Sequence, residues 1–279
     1  GFANPGSILA GANADVTVTA AAAGSLAGNI ALALTSNANG VAGLSNLGLT
    51  GQSVAVTGVA YDLASATLAA ATLDLGNVRL GQGSTLAVTN AAITDPAFQD
   101  SLDVVAASAN GKLTLAAPGN ILAAASGNVG VTANTAGSLA GTVTLGLTSN
   151  ANGIVGLENT ALAGQSFAVT GAAFDYATAT TAASLAFGNV RVGANRALNV
   201  ANTVTTSAAY QDSLDVLATS ANAKLGFANP AKIDAGLAGD VAVTAVAAGS
   251  LAGNIALALT SNANGLAGLT NEALVGQSV

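Results

Sequence analysis

One sequence pattern occurs three times in this chain and restricts the fold more than any other feature. The segment GSLAGNIALALTSNANG begins at Gly24, and closely related segments begin at Gly137 and Gly249, which are 113 and 112 residues further along. A period of this length predicts a tandem array of whole modules. A β-solenoid, which favours the same small and β-branched residues, predicts a sub-period of roughly 20–30 residues, and the sequence has none.

The repeated segment begins with the alternation of a half-buried β-strand. Ile30, Leu32 and Leu34 are separated by small or polar residues, which places the three apolar side chains on one face of an extended chain. A turn sequence follows, and Val41 and Leu44 then supply a second apolar stretch. The pattern predicts a β-hairpin that is copied three times.

The predicted turn depends on an Asn-Gly pair. Asn tolerates positive φ angles, and glycine adopts them without a clash because it has no Cβ atom. We therefore expect positive φ at the three equivalent structural turn residues, Gly40, Gly153 and Gly265.

The period divides the chain into three parts. Residues 1–62 carry the C-terminal half of a module, residues 66–175 a complete module, and residues 180–279 a module without its last strand. The alanine-rich residues 63–72 are predicted to be a linker. In the complete module we predict strands at residues 73–81, 84–90, 101–106, 112–116, 128–134, 142–148 and 165–175.

Seven short strands in about 110 residues, separated by turn sequences, are typical of an immunoglobulin-like β-sandwich. The predicted fold class is therefore all-β, with tandem sandwich modules and a period of about 112 residues. The third module repeats the order: residues 187–193 (FGNVRVG) match residues 75–81, and Gly76 suggests a bulge within that strand.

Charge is scarce, and this restricts the partners of the chain. Charged residues make up 7 % of the sequence, against roughly 25 % in typical soluble proteins. The net charge of −7 and the absence of a basic patch exclude a nucleic-acid partner. No apolar run reaches the roughly 18–20 residues that a membrane-spanning helix needs. So little charge favours a surface covered by neighbouring copies, and the alternative is a secreted stalk kept soluble by Asn and Thr.

The sequence contains neither His nor Cys, so the usual nucleophile–base pairs and the imidazole or thiolate metal sites cannot be built. We therefore predict no enzymatic activity, no catalytic residue and no cofactor. The weak metal candidates are carboxylates in the recurring QDSLDV motif, which suit calcium, although residues three apart on a strand point to opposite faces. The alternative is that they are solvated acids at a strand edge or acids that form hydrogen bonds at strand ends: Asp100, Asp103, Asp212 and Asp215.

Two further side-chain types recur at matching positions. Arg79 and Arg191 occupy the same position in the GNVR motif. One interpretation is a salt bridge to an acid, located across the sandwich or in the next module. The alternative is an exposed charge that discourages pairing at the sheet edge. The few aromatic residues are predicted to anchor the core, because one ring buries far more area than an alanine. They are Tyr61, Phe98, Phe174 and Tyr210.

The order L-x-x-G-N-V-R-x-G, L-x-V-x-N, G-x-x-x-L-x-L-T-S and V-T-G resembles the choice-of-anchor D repeats of bacterial surface proteins, and the wider abnormal-spindle/Hydin type of immunoglobulin-like module. The resemblance covers the complete module and most of the other two. It implies an exported, repetitive cell-surface or fibre-forming protein, and it brings no catalytic residues.

These observations predict a structural extracellular protein at the cell surface that forms a fibre, sheath or surface layer with copies of itself. The alternative is a passive stalk in a bacterial adhesin or another large surface protein. The half module at the start and the missing strand at residue 279 fit either a window of a longer repetitive chain or subunits that complete each other by strand addition.

Overall fold

The computed structural model describes all residues, 1–279, and contains 27 β-strands, two single-turn 3₁₀ helices and no α-helix. The strands form several separate sheets. The predicted fold class, an all-β chain of immunoglobulin-like sandwiches, is confirmed. The structure has no helix with the length and hydrophobicity needed to cross a bilayer.

The first segment (residues 1–62) contains only short strands. They are β1 (Phe2–Ala3), β2 (Thr17–Val18), β3 (Gly24–Ser25), β4 (Gly28–Leu32), β5 (Thr35–Ser36), β6 (Leu47–Gly48), β7 (Gln52–Val56) and β8 (Val59–Ala60). They pair as four two-stranded sheets, β1 with β2, β3 with β8, β4 with β7 and β5 with β6. No residue of this segment is buried, because a two-stranded sheet without a facing sheet has no core.

The middle module (residues 66–175) contains longer strands. They are β9 (Ala66–Leu68), β10 (Thr72–Arg79), β11 (Gly83–Asn90), β12 (Ser101–Ser108), β13 (Leu113–Ala116), β14 (Gly119–Ile121), β15 (Ser126–Ala133), β16 (Gly137–Ser138), β17 (Gly141–Asn150), β18 (Thr160–Ala161) and β19 (Gln165–Phe174). One sheet has the order β10-β19-β17-β12-β14, with β16 on β19 and β18 on β17. The other has the order β13-β15-β11-β9. A 3₁₀ turn, Pro96–Phe98, lies between β11 and β12.

The two sheets of the middle module enclose one hydrophobic core. Along β17, buried and exposed residues alternate, as expected for a strand with one face against a second sheet. Val104, Val143 and Val169 enter the core from the first sheet, and Val88 and Val131 from the second. The alternating apolar residues of the sequence therefore form the core that stabilises the sandwich.

Strand β10 forms the edge of the first sheet and pairs in parallel with β19. The register shifts between Asp74 and Asn77, where Gly76 has φ +62°, so the bulge suggested by the sequence is present. Beyond the bulge the pairing continues to the end of β10, where Arg79 lies opposite Phe174. This pairing places Arg79 at the end of the middle module where the chain continues into the third module.

The third module (residues 180–279) repeats this arrangement with fewer strands. They are β20 (Ala179–Thr181), β21 (Asn195–Asn202), β22 (Ser213–Thr219), β23 (Leu225–Ala228), β24 (Ala238–Ala245), β25 (Ala256–Asn262), β26 (Glu272–Ala273) and β27 (Gln277–Ser278). One sheet has the order β20-β21-β24-β23; in the other, β25 pairs with β22, β26 and β27. They enclose a second core, and the 3₁₀ turn Ala208–Tyr210 precedes β22.

Residues 184–191 match β10 in sequence but form no strand, so the strand predicted at residues 187–193 is wrong. In the middle module β10 pairs only with β19. The corresponding residues of the third module, β27 and Val279, pair with β25 and Ile255 and not with residues 184–191. Residues 184–191 pair with no strand and are irregular.

Two other local predictions are corrected. The predicted linker at residues 63–72 contains the strand β9, which pairs with β11 at the sandwich edge. The chain does not return as a strand at Val41 and Leu44. These residues lie in two consecutive turns, and the return strands are β6 and β7. The hairpin is therefore closed by a longer loop than the Asn-Gly pair alone predicts.

Candidate functional site

The Asp100 and Asp212 carboxylates lie just before β12 and β22 and are buried, so they are not solvated edge acids, and the other alternative, hydrogen bonding at strand ends, describes them. Asp100 Oδ2 accepts a hydrogen bond of 2.7 Å from the Ser149 hydroxyl. Asp212 Oδ2 accepts the equivalent bond from Ser261, also 2.7 Å. These serines stand on the neighbouring strands β17 and β25, so each aspartate ties the start of one strand to the end of another.

The other two calcium candidates have different surroundings. Asp103 accepts hydrogen bonds of 2.7 Å from the side-chain amides of Asn120 and Asn150, and Asp215 accepts one of 2.7 Å from Asn262. No group of three or more His, Cys, Asp or Glu residues lies close enough together to hold a metal ion. These carboxylates therefore accept hydrogen bonds from amide and hydroxyl groups of the chain.

The turn glycines have the backbone geometry that Asn-Gly turns require. Gly40, Gly153 and Gly265 have φ angles of +76°, +73° and +70°. The preceding asparagines also have positive φ, from 49° to 56°. Positive φ at both central residues is the geometry of a type I′ turn.

The middle and third modules are joined by a buried ion pair between Arg79 and Asp212. Arg79 Nη1 donates to Asp212 Oδ1 at 3.0 Å, and Arg79 Nη2 donates to Asp212 Oδ2 at 2.7 Å. The two side chains are 9 % and 0 % exposed. Two parallel bonds from the planar guanidinium fork make this the strong, direction-specific form of an ion pair. The interpretation of Arg79 as an exposed charge is therefore wrong.

Other contacts surround the guanidinium and complete what we call the Arg79 junction. Arg79 Nη2 also donates to the Thr270 carbonyl at 3.3 Å, and the group lies 4.4 Å from the centre of the Tyr176 ring. Nearby, the Asn77 side chain donates to the Ala267 carbonyl at 3.0 Å. The middle module thus contacts the 263–271 loop, which contains the third Asn-Gly turn.

The chain path explains why these groups meet. Strand β19 runs beside β10 and ends at Phe174, opposite Arg79. The next residue, Asp175, is bonded to the following module: its N–H donates to the Tyr210 carbonyl, and its carbonyl accepts from the N–H of Asp212. One continuous backbone segment therefore fixes the distance between Arg79 and Asp212.

A buried amide network positions the aspartate in each module. Asn90 donates to the Asp100 carbonyl at 2.9 Å and to the Ile121 carbonyl at 3.2 Å, and it accepts from Gln99 at 3.0 Å. The same three bonds recur in the third module, around Asn202. Sequence reasoning did not assign these amides a role. Their recurrence in L-x-V-x-N and before DSLDV was the signal that could have found them.

The aromatic residues lie at the junctions between modules rather than in the middle of a core. Phe174 and Tyr210 have ring centres 5.6 Å apart, and Tyr61 and Phe98 have ring centres 6.0 Å apart. In both pairs one ring lies next to the last residue of a module, and the other belongs to the 3₁₀ turn of the next module. Of the four, only Phe174 is buried.

The entrance to the middle module has the same backbone arrangement but no arginine. The Asp62 N–H donates to the Phe98 carbonyl, and the Asp62 carbonyl accepts from the N–H of Asp100. Asp100 Oδ1 is buried and has no hydrogen-bond partner. Arg191, which corresponds to Arg79, is exposed, and its guanidinium makes no hydrogen bond or ion pair. Within residues 1–279, the Arg79–Asp212 pair therefore has no counterpart at Asp100 or Arg191.

A smaller electrostatic feature stabilises the bulge in β10. Asp74 Oδ1 accepts from the Thr170 hydroxyl at 2.7 Å and from the Gly76 N–H at 3.1 Å. The Thr170 bond first, and then the Gly76 bond, lower the pKa of Asp74 below its usual value of 3.8. Both bonds favour the ionised carboxylate, which links the bulge to strand β19.

No protein-family model and no curated protein matches this chain. Among solved structures, the D00-D0 domain of intimin aligns with a TM-score of 0.34 at 13 % identity, over 77 % of this chain and 98 % of that chain. Domains 1–6 of the surface layer protein SbsC align with a TM-score of 0.27 at 14 % identity, over 81 % of this chain and 27 % of that chain. The secreted serine protease VesC from Vibrio cholerae aligns with a TM-score of 0.19 at 15 % identity, over 66 % and 48 % of the two chains. Scores of this size assign the chain to no family and no activity.

Proposed function

We propose that this chain is a structural extracellular repeat protein whose modules pack head to tail in a bacterial fibre, sheath or surface layer. The Arg79 junction carries this proposal. A buried, bidentate ion pair between successive modules fixes their relative orientation, which a flexible linker would leave free. A fixed orientation is what an assembly needs in order to continue in one direction.

The surface composition supports self-association. Large apolar side chains are exposed on the middle and third modules, among them Val105 at 67 %, Val155 at 99 % and Val275 at 89 %. A chain with few charges and many exposed apolar groups gains free energy when copies cover each other. The partner class is therefore other copies of the same repeat.

Electron microscopy of the purified protein over a range of concentrations tests this function. We expect filaments or ordered sheets, and we expect Arg79→Ala to give bent or disordered ones because the junction loses its fixed angle. Arg196→Ala is the matched control, since the Arg196 guanidinium bonds only to the neighbouring Asn195 carbonyl and joins no modules. Single particles at every concentration would contradict the assembly function and favour the adhesin stalk instead.

A further inference from the structure

We infer that the cavity between the middle and third modules binds a neutral sugar. Such a ligand goes beyond the proposed structural function, because binding does not require that copies of the chain assemble. Three observations carry the inference: a cavity lined by both modules, polar groups in its lining that the fold leaves unused, and two sequence differences between the repeats that create these groups.

The cavity has a volume of about 350 Å³, at the small end of the range for ligand sites. Phe174, at the end of β19, lines it from the middle module, and Asn264 and Leu266 line it from the 263–271 loop of the third module. Ser213 and Asp234 belong to the polar part of the lining. Ligand sites often lie between two structural units, so both the position and the size suit a small molecule.

Asn264 and Asp234 both line the cavity and have polar atoms without a partner in the chain. Asn264 Oδ1 accepts from the Ser213 hydroxyl at 2.8 Å, while the Asn264 Nδ2 group makes no hydrogen bond. The Asp234 side chain is 60 % exposed, and its one ionic contact is between Oδ1 and Lys232 Nζ, at 3.4 Å. A carboxylate accepts and an amide NH₂ group donates, so the two side chains together match hydroxyl groups, which do both.

The Ser213 hydroxyl also has unused hydrogen-bonding capacity, although the residue is only 1 % exposed. In the middle module, the equivalent Ser101 hydroxyl accepts a bond of 2.7 Å from the Asn120 side chain. In the third module Lys232 replaces Asn120, and no group donates to the Ser213 hydroxyl, which itself donates to Asn264. Buried polar groups are nearly always satisfied, so this unused acceptor in the lining favours a ligand that donates a hydrogen bond.

A second difference between the repeats adds the carboxylate. Asp234 stands where the middle module has Leu122, which is an exposed apolar residue. The two replacements, Lys232 for Asn120 and Asp234 for Leu122, are two positions apart in the chain. Together they give the third module a polar, unsatisfied surface at a place where the middle module is satisfied and apolar.

The charges of the lining select a neutral ligand. Lys232 already compensates the Asp234 carboxylate, so a cationic ligand gains little, and a chain with a net charge of −7 repels an anionic one. The Phe174 ring and the Leu266 side chain supply apolar surface beside the polar groups. A sugar matches both parts, because its hydroxyl groups form hydrogen bonds and its ring carbons present an apolar C–H face.

The Arg79 junction holds one wall of the cavity in place. Asn264 and Leu266 belong to the same loop as Thr270, whose carbonyl accepts a hydrogen bond from Arg79. This loop and Phe174 therefore keep their separation only while the two modules stay in contact. Sugar binding and the junction should accordingly stabilise each other.

An array of immobilised neutral and acidic glycans, probed with the full chain, tests the ligand class. We expect neutral glycans to retain the chain and glycans that end in glucuronate or sialate not to. Retention by no neutral glycan, or equal retention by acidic ones, would overturn the inference. Titration calorimetry with the methyl glycoside of the retained sugar and with longer chains of it then separates two sources of the same chemistry. An affinity that rises with length indicates a glycan chain, and a constant affinity indicates a single sugar.

Asn264→Gly tests the amide. It keeps the turn, because glycine tolerates the φ angle of 56° at this position. We expect the affinity for the retained sugar to fall by about 10-fold, the loss typical of one hydrogen bond in a ligand site. Asn152→Gly is the matched control, since Asn152 has a φ angle of 53° and bonds to Ser101 as Asn264 bonds to Ser213. Asn152→Gly should leave the affinity unchanged, and equal affinities of the two variants would overturn the site.

Asp234→Asn tests the carboxylate and should also weaken binding, because a neutral amide oxygen accepts hydrogen bonds less strongly. Its control is Asp240→Asn, an exposed aspartate that bonds to Asn199 and does not line the cavity. Equal affinities of these two variants would likewise overturn the site.

Arg79→Ala should weaken sugar binding relative to Arg196→Ala, and equal affinities there would overturn the coupling to the junction. Every readout is sugar affinity, so a failure of this site is distinct from a failure to assemble, which microscopy measures.

Discussion

Arg79 and Asp212 are 133 residues apart in the sequence and share two hydrogen bonds in the space between two modules. The chain has only six basic residues, and one of them is buried in this contact. Burial of an arginine is unfavourable unless its charge is paired, so the contact makes the two modules interdependent. Stability and shape should both respond when it is broken.

Arg79→Ala should lower the free energy of unfolding of the third module by about 3 kcal/mol, since it leaves the buried Asp212 carboxylate without its counter-charge. Urea unfolding measures the loss, and small-angle X-ray scattering should show a wider distribution of shapes. Arg79→Lys should rescue only part of it, because an ammonium cannot form two parallel bonds. Unfolding and scattering curves equal to those of the exposed control Arg196→Ala would contradict this role.

The two equivalent aspartates should respond differently to the same substitution. Asp212→Asn removes the charge that pairs with Arg79 and should cost about 3 kcal/mol of unfolding free energy. Asp100→Asn removes a charge whose Oδ1 has no partner, so its cost should be much smaller in a dilute, unassociated sample. Thermal unfolding of both variants at low protein concentration makes the comparison. Equal losses would mean that the ion pair contributes nothing beyond the bond to the serine on the neighbouring strand.

Gly153→Val should destabilise the middle module by about 1–2 kcal/mol, because a β-branched residue is strained at positive φ. The space around Gly153 is open, so the cost comes from the backbone and not from a clash. Gly111 is a matched control: its surroundings are equally open, and its φ is not positive. If Gly111→Val and Gly153→Val lower the unfolding midpoint equally, the turn geometry is not the cause.

The Asp74 carboxylate should make the middle module sensitive to acid. Its pKa is lowered in the folded state, first by Thr170 and then by Gly76, so ionisation favours folding. This contribution is complete above the usual Asp pKa of 3.8 and is lost as the pH falls through the lower folded-state value. The stability difference between the unchanged chain and Asp74→Asn should therefore be constant near neutral pH and shrink in acid. A difference that grows in acid would contradict the sign of the shift.

Calcium should leave the melting temperature unchanged. The Asp103 and Asp215 carboxylates accept hydrogen bonds from asparagine amides, and the Asp100 and Asp212 carboxylates accept them from serine hydroxyls. Differential scanning fluorimetry with excess chelator and with millimolar calcium provides the comparison. A clear rise in melting temperature with calcium, lost in Asp103→Asn, would restore the metal-site hypothesis.

Local sequence patterns predicted much of the fold because their physical causes are local. The alternation of apolar residues along β17 determines which face of the strand is buried when a second sheet packs against it. The Asn-Gly turns and the Gly76 bulge likewise depend on backbone preferences of a few neighbouring residues. Where the return strand begins after Gly40 depends on pairing across the sheet, so the expectation for Val41 and Leu44 was wrong.

The candidate site was less predictable because its members are far apart in the sequence. Recurrence singled out Arg79, Arg191, Asp100 and Asp212, but spacing alone did not show that one arginine meets the aspartate of the following module. That contact depends on the parallel pairing of β10 with β19 and on the path of the chain through Asp175.

The sequence by itself determined the all-β composition, the repeat, the turn positions and the residues that recur. The tertiary structure decided which copies of a recurring residue are used. Arg79 is buried and paired while Arg191 is exposed, and residues 72–79 form a strand while residues 184–191 do not. Five of the eight positions are identical in the two copies, GNVR among them, although Ala186 stands in place of Asp74. A strand and a buried charge each require a partner, and only the surrounding fold supplies it.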